Sequence, residues 1–260
     1  FSPFSRVDGE WSNYFDGAGD IMTLASSADF GMGTGDFTWE AWVNQTYRHG
    51  STWSQLFSSD NYDSGINVSV WITSAGNVAV YGLGPSNGNF TTSSTFPVNT
   101  WTHIAVVRKG TGTGEFAIYI DGVAGVTGAV NDDFPTDGLT IARHGSSDNN
   151  YYTGYISNFR IVKGTAVYTG NFTPATSALT AISGTVLLTC QSNRFKDNSA
   201  SDHEITVAGT PKASAFTPIL TSEVYAAGTN GASAYFDGSG DYLTVATSSN
   251  FDFGGGDFTL

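Results

Sequence analysis

The chain has 260 residues, with 23 acidic against 10 basic side chains and a formal charge of −13. That length accommodates one large domain or two modest ones, and a 40% hydrophobic content excludes a wholly disordered chain. The negative field argues against nucleic acid as a partner, and no run approaches the ~20 apolar residues of a membrane-spanning helix, so membrane insertion is not expected.

The 32 Gly, 18 Phe, 12 Tyr and 6 Trp, with only 13% charged residues, suit strands and turns rather than helices. In chain order, the first clear strand is Phe37-Thr38-Trp39-Glu40-Ala41-Trp42-Val43. Its alternation puts Phe37, Trp39, Ala41 and Val43 on one face, with Glu40 and Trp42 on the other. Residues 65–73 and 76–83 form two more runs split by Ser74-Ala75-Gly76-Asn77. Trp101 to Arg108 pairs with Glu115 to Ile120 across a glycine-rich loop, and Asp121-Gly122 signals a tight turn before Val123 to Val126. Leu139 to Arg143 and Tyr151 to Val162 complete the set. No segment holds a helical period, so an all-β, two-sheet antiparallel jelly-roll sandwich is expected. Cys190 is the single cysteine, which removes intrachain disulfides and cysteine metal sites; a buried thiol is expected.

An internal repeat stands out. Tyr14-Phe15-Asp16-Gly17-Ala18-Gly19-Asp20 returns as Tyr235-Phe236-Asp237-Gly238-Ser239-Gly240-Asp241 at an offset of 221, and the match runs ungapped to Leu260. A second echo, Phe1-Ser2-Pro3-Phe4 with Phe216-Thr217-Pro218-Ile219, has an offset of 215. Repetition at this length implies tandem whole domains. The sequence stops at the equivalent of Trp39, inside a strand, so a window on a longer protein is expected.

The Tyr-Phe-Asp-Gly-x-Gly-Asp motif, Gly33-Thr34-Gly35-Asp36-Phe37-Thr38-Trp39, Tyr119-Ile120-Asp121-Gly122 and Gly154-Tyr155-Ile156-Ser157-Asn158-Phe159-Arg160-Ile161-Val162 carry a family resemblance. The chain resembles laminin-G-like, concanavalin-A-like jelly rolls of bacteria and their viruses. It is most similar to tandem modules in structural proteins of marine bacteriophages, cyanophages especially. That resemblance implies a virion surface location, with other copies of the chain, virion proteins and a host surface glycan as partners. It also implies a first jelly roll over 1–175 lacking its own opening strands or taking them from a neighbour, a linker over 176–184, and the incomplete start of a second module over 185–260. The alternative gives residues 185–215 to the first sandwich, and the sequence leaves both arrangements open.

Chemistry is sparse. The four histidines lack metal-ligand spacing, and no nucleophile elbow or phosphate loop occurs. Paired carboxylates of the glycosidase kind are missing; Glu40 is read as a solvated outer-face residue, although Trp42 beside it could serve a sugar. No enzyme activity is expected. The family resemblance makes calcium possible at the rim, where Asp132, Asp133 and Asp148 are candidate ligands, as are the Asp16/Asp20 and Asp237/Asp241 turns. The turn aspartates are equally accounted for as caps of backbone amides. Aromatic residues beside Asn, Asp and Gln suit glycan binding, which nominates Tyr47, Trp53, Tyr62, Tyr151 and Tyr152; packing at strand ends or against a neighbouring subunit is the competing reading. The function expected is a non-enzymatic structural and attachment module of a phage fibre or appendage. Alternatives are a secreted cellular adhesin or carbohydrate-binding module, or an accessory domain of a glycan-active enzyme.

Overall fold

The computed structural model describes residues 8–59, 66–83, 88–143, 150–219, 239–240, 242–252 and 254. Strands are numbered in chain order. One sheet runs β10 (Val123–Gly128), β9 (Phe116–Ile120), β8 (Thr102–Arg108), β3 (Phe37–Gln45), β12 (Thr153–Lys163), β1 (Ser12–Asp16) and β15 (Lys212–Ser214). β13 (Thr185–Thr189) joins the second half of β12. The other sheet runs β14 (Ile205–Ala208), β2 (Ile21–Ser27), β11 (Asp137–Ile141), β4 (Ser54–Ser59), β5 (Ile66–Ile72), β6 (Asn77–Leu83) and β7 (Phe90–Thr95). The pairings between these strands are antiparallel. This is the expected sandwich. Among the described residues no helix is long and apolar enough to cross a membrane.

The core follows from alternation. Phe37, Trp39, Ala41 and Val43 of β3 point inward and are fully buried, as are Val70, Ile72, Val78 and Val80 of the facing sheet. Phe57 bridges the layers, with ring centroids 5.4 Å from Trp39 and 4.7 Å from Phe159. β12 is the spine of its sheet, pairing with β3 on one side and with β1 and then β13 on the other. The change of partner occurs at a bulge containing Asn158, whose φ of 51° is left-handed. Its buried amide donates to the Gly9 carbonyl at 2.9 Å and accepts from Leu179 N–H at 2.9 Å, while its backbone N–H donates to Cys190 O at 3.1 Å. One residue thereby ties three segments to the spine. Cys190 is buried as expected, and desolvation pushes its thiol pKa up.

Residues 185–214 do not open a new module after a linker at 176–184. β13, β14 and β15 add to β12, β2 and β1, and Leu187 is buried in the same core. The opening strands are therefore flanked by the chain's own later segments. The outer edge of β13 is sealed locally: Asp197 accepts from Leu188 N–H at 3.0 Å and Asn198 N–H donates to Leu188 O at 2.7 Å. The compact unit extends from Arg6 to Ser222; a second, Phe1–Ser5 with Glu223–Leu260, is compact in itself. Among that unit's described residues, Tyr242, Leu243, Val245 and Phe251 are exposed and Ser249–Phe251 forms one 3-10 turn.

The outer face of the first sheet is covered. Residues 164–182 cross it as a strap, with Ala166, Tyr168 and Phe172 packed on Ala105, Val107, Ala117 and Tyr119. Tyr168 and Phe172 stack at 3.5 Å between ring centroids. Farther along, Phe216 lies on Trp101 and Tyr155, at 5.3 and 4.9 Å, and its carbonyl accepts from Ser12 Oγ at 2.6 Å.

Candidate functional site

Beneath the strap lies a buried polar cluster centred on Glu40. Glu40 is 0% exposed, which corrects its reading as a solvated outer-face residue: alternation fixed the face, but the strap covers that face. Arg160 donates to Oε1 through Nε at 2.9 Å and Nη2 at 2.5 Å, while Tyr168 OH donates to Oε2 at 2.7 Å and His103 Nε2 lies 3.1 Å from it. Burial alone raises the Glu40 pKa, but the His103 hydrogen bond, the charges of Arg160 and His103 and the Tyr168 hydroxyl outweigh it and hold the carboxyl below its ordinary value. His103 donates to the carboxylate from Nε2, and its Nδ1 is buried without a partner. Both carboxylate oxygens are engaged and no substrate can approach them, so the cluster fastens the strap. Trp42 packs its ring on His103 at 5.3 Å.

The acidic candidates divide similarly. Arg108 lies buried between Phe37 and Phe134, 4.9 Å from each ring, and donates to the carbonyls of Gly35 (2.8 Å), Asp132 (3.0 Å) and Gly33 (2.6 Å). Burial pulls its pKa down to about 10 against the opposing pull of Asp36, Asp133 and Asp132. Arg108 thus places a guanidinium charge close to Asp36, Asp132 and Asp133. Desolvation also raises the Asp132 carboxyl pKa, with Arg108 pulling the other way. Asp20 is a clasp, accepting from Asp16 N–H at 3.0 Å and Thr210 N–H at 2.6 Å. Asp16, in turn, accepts from Ala18 N–H at 2.7 Å. Asp148 and Tyr62 lie outside the described residues, as do Asp237 and Asp241. Among the described residues no three His, Cys, Asp or Glu side chains gather as metal ligands.

The other sheet's outer face carries a different chemistry. Val68, Val70 and Ile72 of β5 point inward, so Ser69 and Trp71 point outward. Register places Trp71 opposite Gln55 and Ala79, and Ser69 opposite Ser58 and Tyr81. Trp53, immediately before β4, brings its ring to 5.3 Å from Tyr81 and 6.4 Å from Trp71, at 68° and 66°. These three partly exposed rings form an aromatic ledge. The loop ends behind it are pinned: Asn150 Nδ2 donates to Trp53 O and Gln55 N–H to Asn150 O, at 2.8 and 2.9 Å. At the foot of the ledge Ser69 Oγ accepts from Trp71 Nε1 at 3.1 Å and from Gln55 Nε2. Gln55 is fully buried and its Oε1 has no hydrogen-bond partner.

Of the aromatic candidates among the described residues, only Trp53 joins this ledge. Tyr47, 54% exposed, packs on His49 at 4.9 Å, and Tyr151 has the Arg143 guanidinium 5.9 Å from its ring centre. Both belong to the sandwich end that holds Trp53, since Thr46 N–H donates to Thr153 O and the 150 and 55 backbones are bonded. Tyr152 is corrected: it is 0% exposed, with its hydroxyl donating to Tyr155 O at 3.1 Å, and a ring in the core offers no face to a ligand. Trp71 and Tyr81 were missed. The available signal was a large ring on the outward phase of a strand whose inward phase is all valine and isoleucine.

A family model described as the Concanavalin A-like lectin/glucanases superfamily matches residues 16–167. No curated protein gives a significant sequence match. Among solved structures, a candidate carbohydrate-binding protein of Bacteroides ovatus superposes with a TM-score of 0.57 at 16% identity, covering 81% of this chain and 61% of that one. The heptameric SAP-like pentraxin of Limulus polyphemus gives 0.53 at 14% identity, covering 78% and 96%. Domains LG4-5 of the mouse laminin alpha1 chain give 0.43 at 14%, covering 64% and 47%. The structural neighbours thus include carbohydrate-binding and laminin-G-like modules.

Proposed function

The chain belongs to the concanavalin A-like lectin/glucanase superfamily, and from that premise we propose that it is a glycan-binding attachment module that holds its ligand without cleaving it. The observation that carries this is the ledge of Trp53, Trp71 and Tyr81, whose ring faces suit the C–H face of a sugar. The strand-embedded acid nearest in kind to a glycosidase residue, Glu40, is sealed by its own four donors. The resemblance of its motifs to phage modules favours a virion fibre or appendage as the site of work, with neighbouring copies and virion proteins as partners. Tandem organisation is supported by length: the unit from Arg6 to Ser222 equals the repeat spacing to within a few residues. Repetition would multiply weak contacts into avidity.

A glycan array probed with the full chain tests the binding role. The expected result is a defined set of hits, lost in a Trp53→Ala, Trp71→Ala double variant whose melting is unchanged. Addition of chelator is expected to leave the hits in place, because Arg108 supplies the positive charge at Asp132 and Asp133. An array silent for the full chain overturns the proposal. Immunogold labelling of particles tests the location, and label confined to cell surfaces would replace the phage fibre by a cellular adhesin.

A further inference from the structure

Resting on the glycan-binding reading above, we infer that the ledge selects uncharged pyranosides, neutral hexose chains with an exposed C–H face, over anionic glycans. The first ground is the buried oxygen at its foot. Gln55 Oε1 is an acceptor without a donor, and Gln55 Nε2 is already committed to Ser69 Oγ. A buried acceptor without a donor keeps the full cost of its lost hydration. A hydroxyl group reaching between Trp53 and Trp71 can donate to it, whereas a carboxylate or sulfate has only acceptors to offer.

The second ground is charge. The described residues that build this end of the sandwich, 46–59, 66–81, 142–143 and 150–152, contain no lysine and two arginines, Arg48 and Arg143. Arg48 is engaged by its own protein: Nε donates to Gln45 Oε1 and Nη2 to Phe96 O, both at 2.9 Å, and the guanidinium lies 5.0 Å over the Phe96 ring. Arg143 sits over Tyr151 rather than the ledge. The chain as a whole carries −13. An anionic sugar therefore gains no free guanidinium and meets a repulsive field.

The rings meet at 66° and 68°, so they form a corner in which a pyranose can lie flat on one face with its hydroxyls turned to the next.

The test uses the full chain on an array carrying neutral gluco-, galacto- and manno-oligosaccharides together with uronic-acid, sialylated and sulfated chains. Hits are expected among the neutral chains alone, with signals unchanged between about 50 and 500 mM salt, since no ion pair contributes. Gln55→Leu removes the acceptor and is expected to weaken those hits about tenfold while leaving thermal stability equal or higher. Because a packing defect could mimic this, intrinsic tryptophan fluorescence of the unmodified chain should also shift on titration with a neutral hit. Hits on charged chains that fade with salt overturn the inference and leave the glycan-binding role standing. So do neutral hits that Gln55→Leu does not weaken. A silent array removes the role itself.

Discussion

Glu40 has donors on both carboxylate oxygens and no surface facing water, so its contribution to the molecule is a matter of buried charge balance. Replacing it by Gln keeps the shape but leaves the Arg160 guanidinium buried without a counter-charge. Breaking such a pair costs about 3–5 kcal/mol, and Glu40→Gln is expected to lose stability of that order in denaturant titration. The acid limb follows from the direction of the pKa shift. The folded carboxyl titrates below its ordinary value of 4.5, so its stabilisation is complete above that value and is lost as pH falls through the lower folded pKa. Thermal melts of the parent should therefore drop over that acid window by more than those of Glu40→Gln. The sequence told which face Glu40 occupies, because alternation is local. It did not tell what covers the face, because the cover is Tyr168, 128 residues away. Tyr152 failed for the opposite reason: a Tyr beside Asn in a loop has surface composition, yet its ring turns into the core.

At the scale of elements, the strap depends on one close approach. Gly122 has a φ of 77°, its carbonyl accepts from Phe172 N–H at 2.9 Å, and an added Cβ would land on the Phe172 carbonyl. Gly122→Ala combines that collision with about 1–2 kcal/mol of left-handed strain. It is expected to accelerate hydrogen exchange across 166–172 while amides of β3, deep in the sheet, keep their protection. Strands with strong inward faces, such as β3, β8, β9 and β12, were legible from periodicity alone. β4, β7, β14 and β15 were not: Ser54-Gln55-Leu56-Phe57-Ser58-Ser59 and Phe90-Thr91-Thr92-Ser93-Ser94-Thr95 are polar runs that become strands only because a neighbour offers its edge. Trp71 and Tyr81 sat in strands that were recognised, but their meeting with Trp53 depends on the register of three strands, which no local pattern encodes.

For the whole molecule, the pairing of β13, β14 and β15 with β12, β2 and β1 makes residues 6–222 one cooperative object. A chain cut to 6–222 is expected to unfold in a single transition, with coincident circular dichroism and fluorescence curves. A chain cut to 1–175 leaves β1 and β2 as bare edges and removes Leu187 from the core, and it is expected to aggregate rather than fold. A separable 1–175 domain with native-like melting would contradict the assignment of 185–214 to this sandwich.

The adjacency of β1 and β15 has a mechanical meaning. Ser12, where the chain enters, pairs with Ser214, where it leaves, and the two strands run in opposite directions. Tension applied through the two ends therefore peels β15 away one hydrogen bond at a time instead of shearing the ladder at once. A module built this way yields early under load and closes again when slack returns, so a string of them would act as a soft tether between whatever it joins.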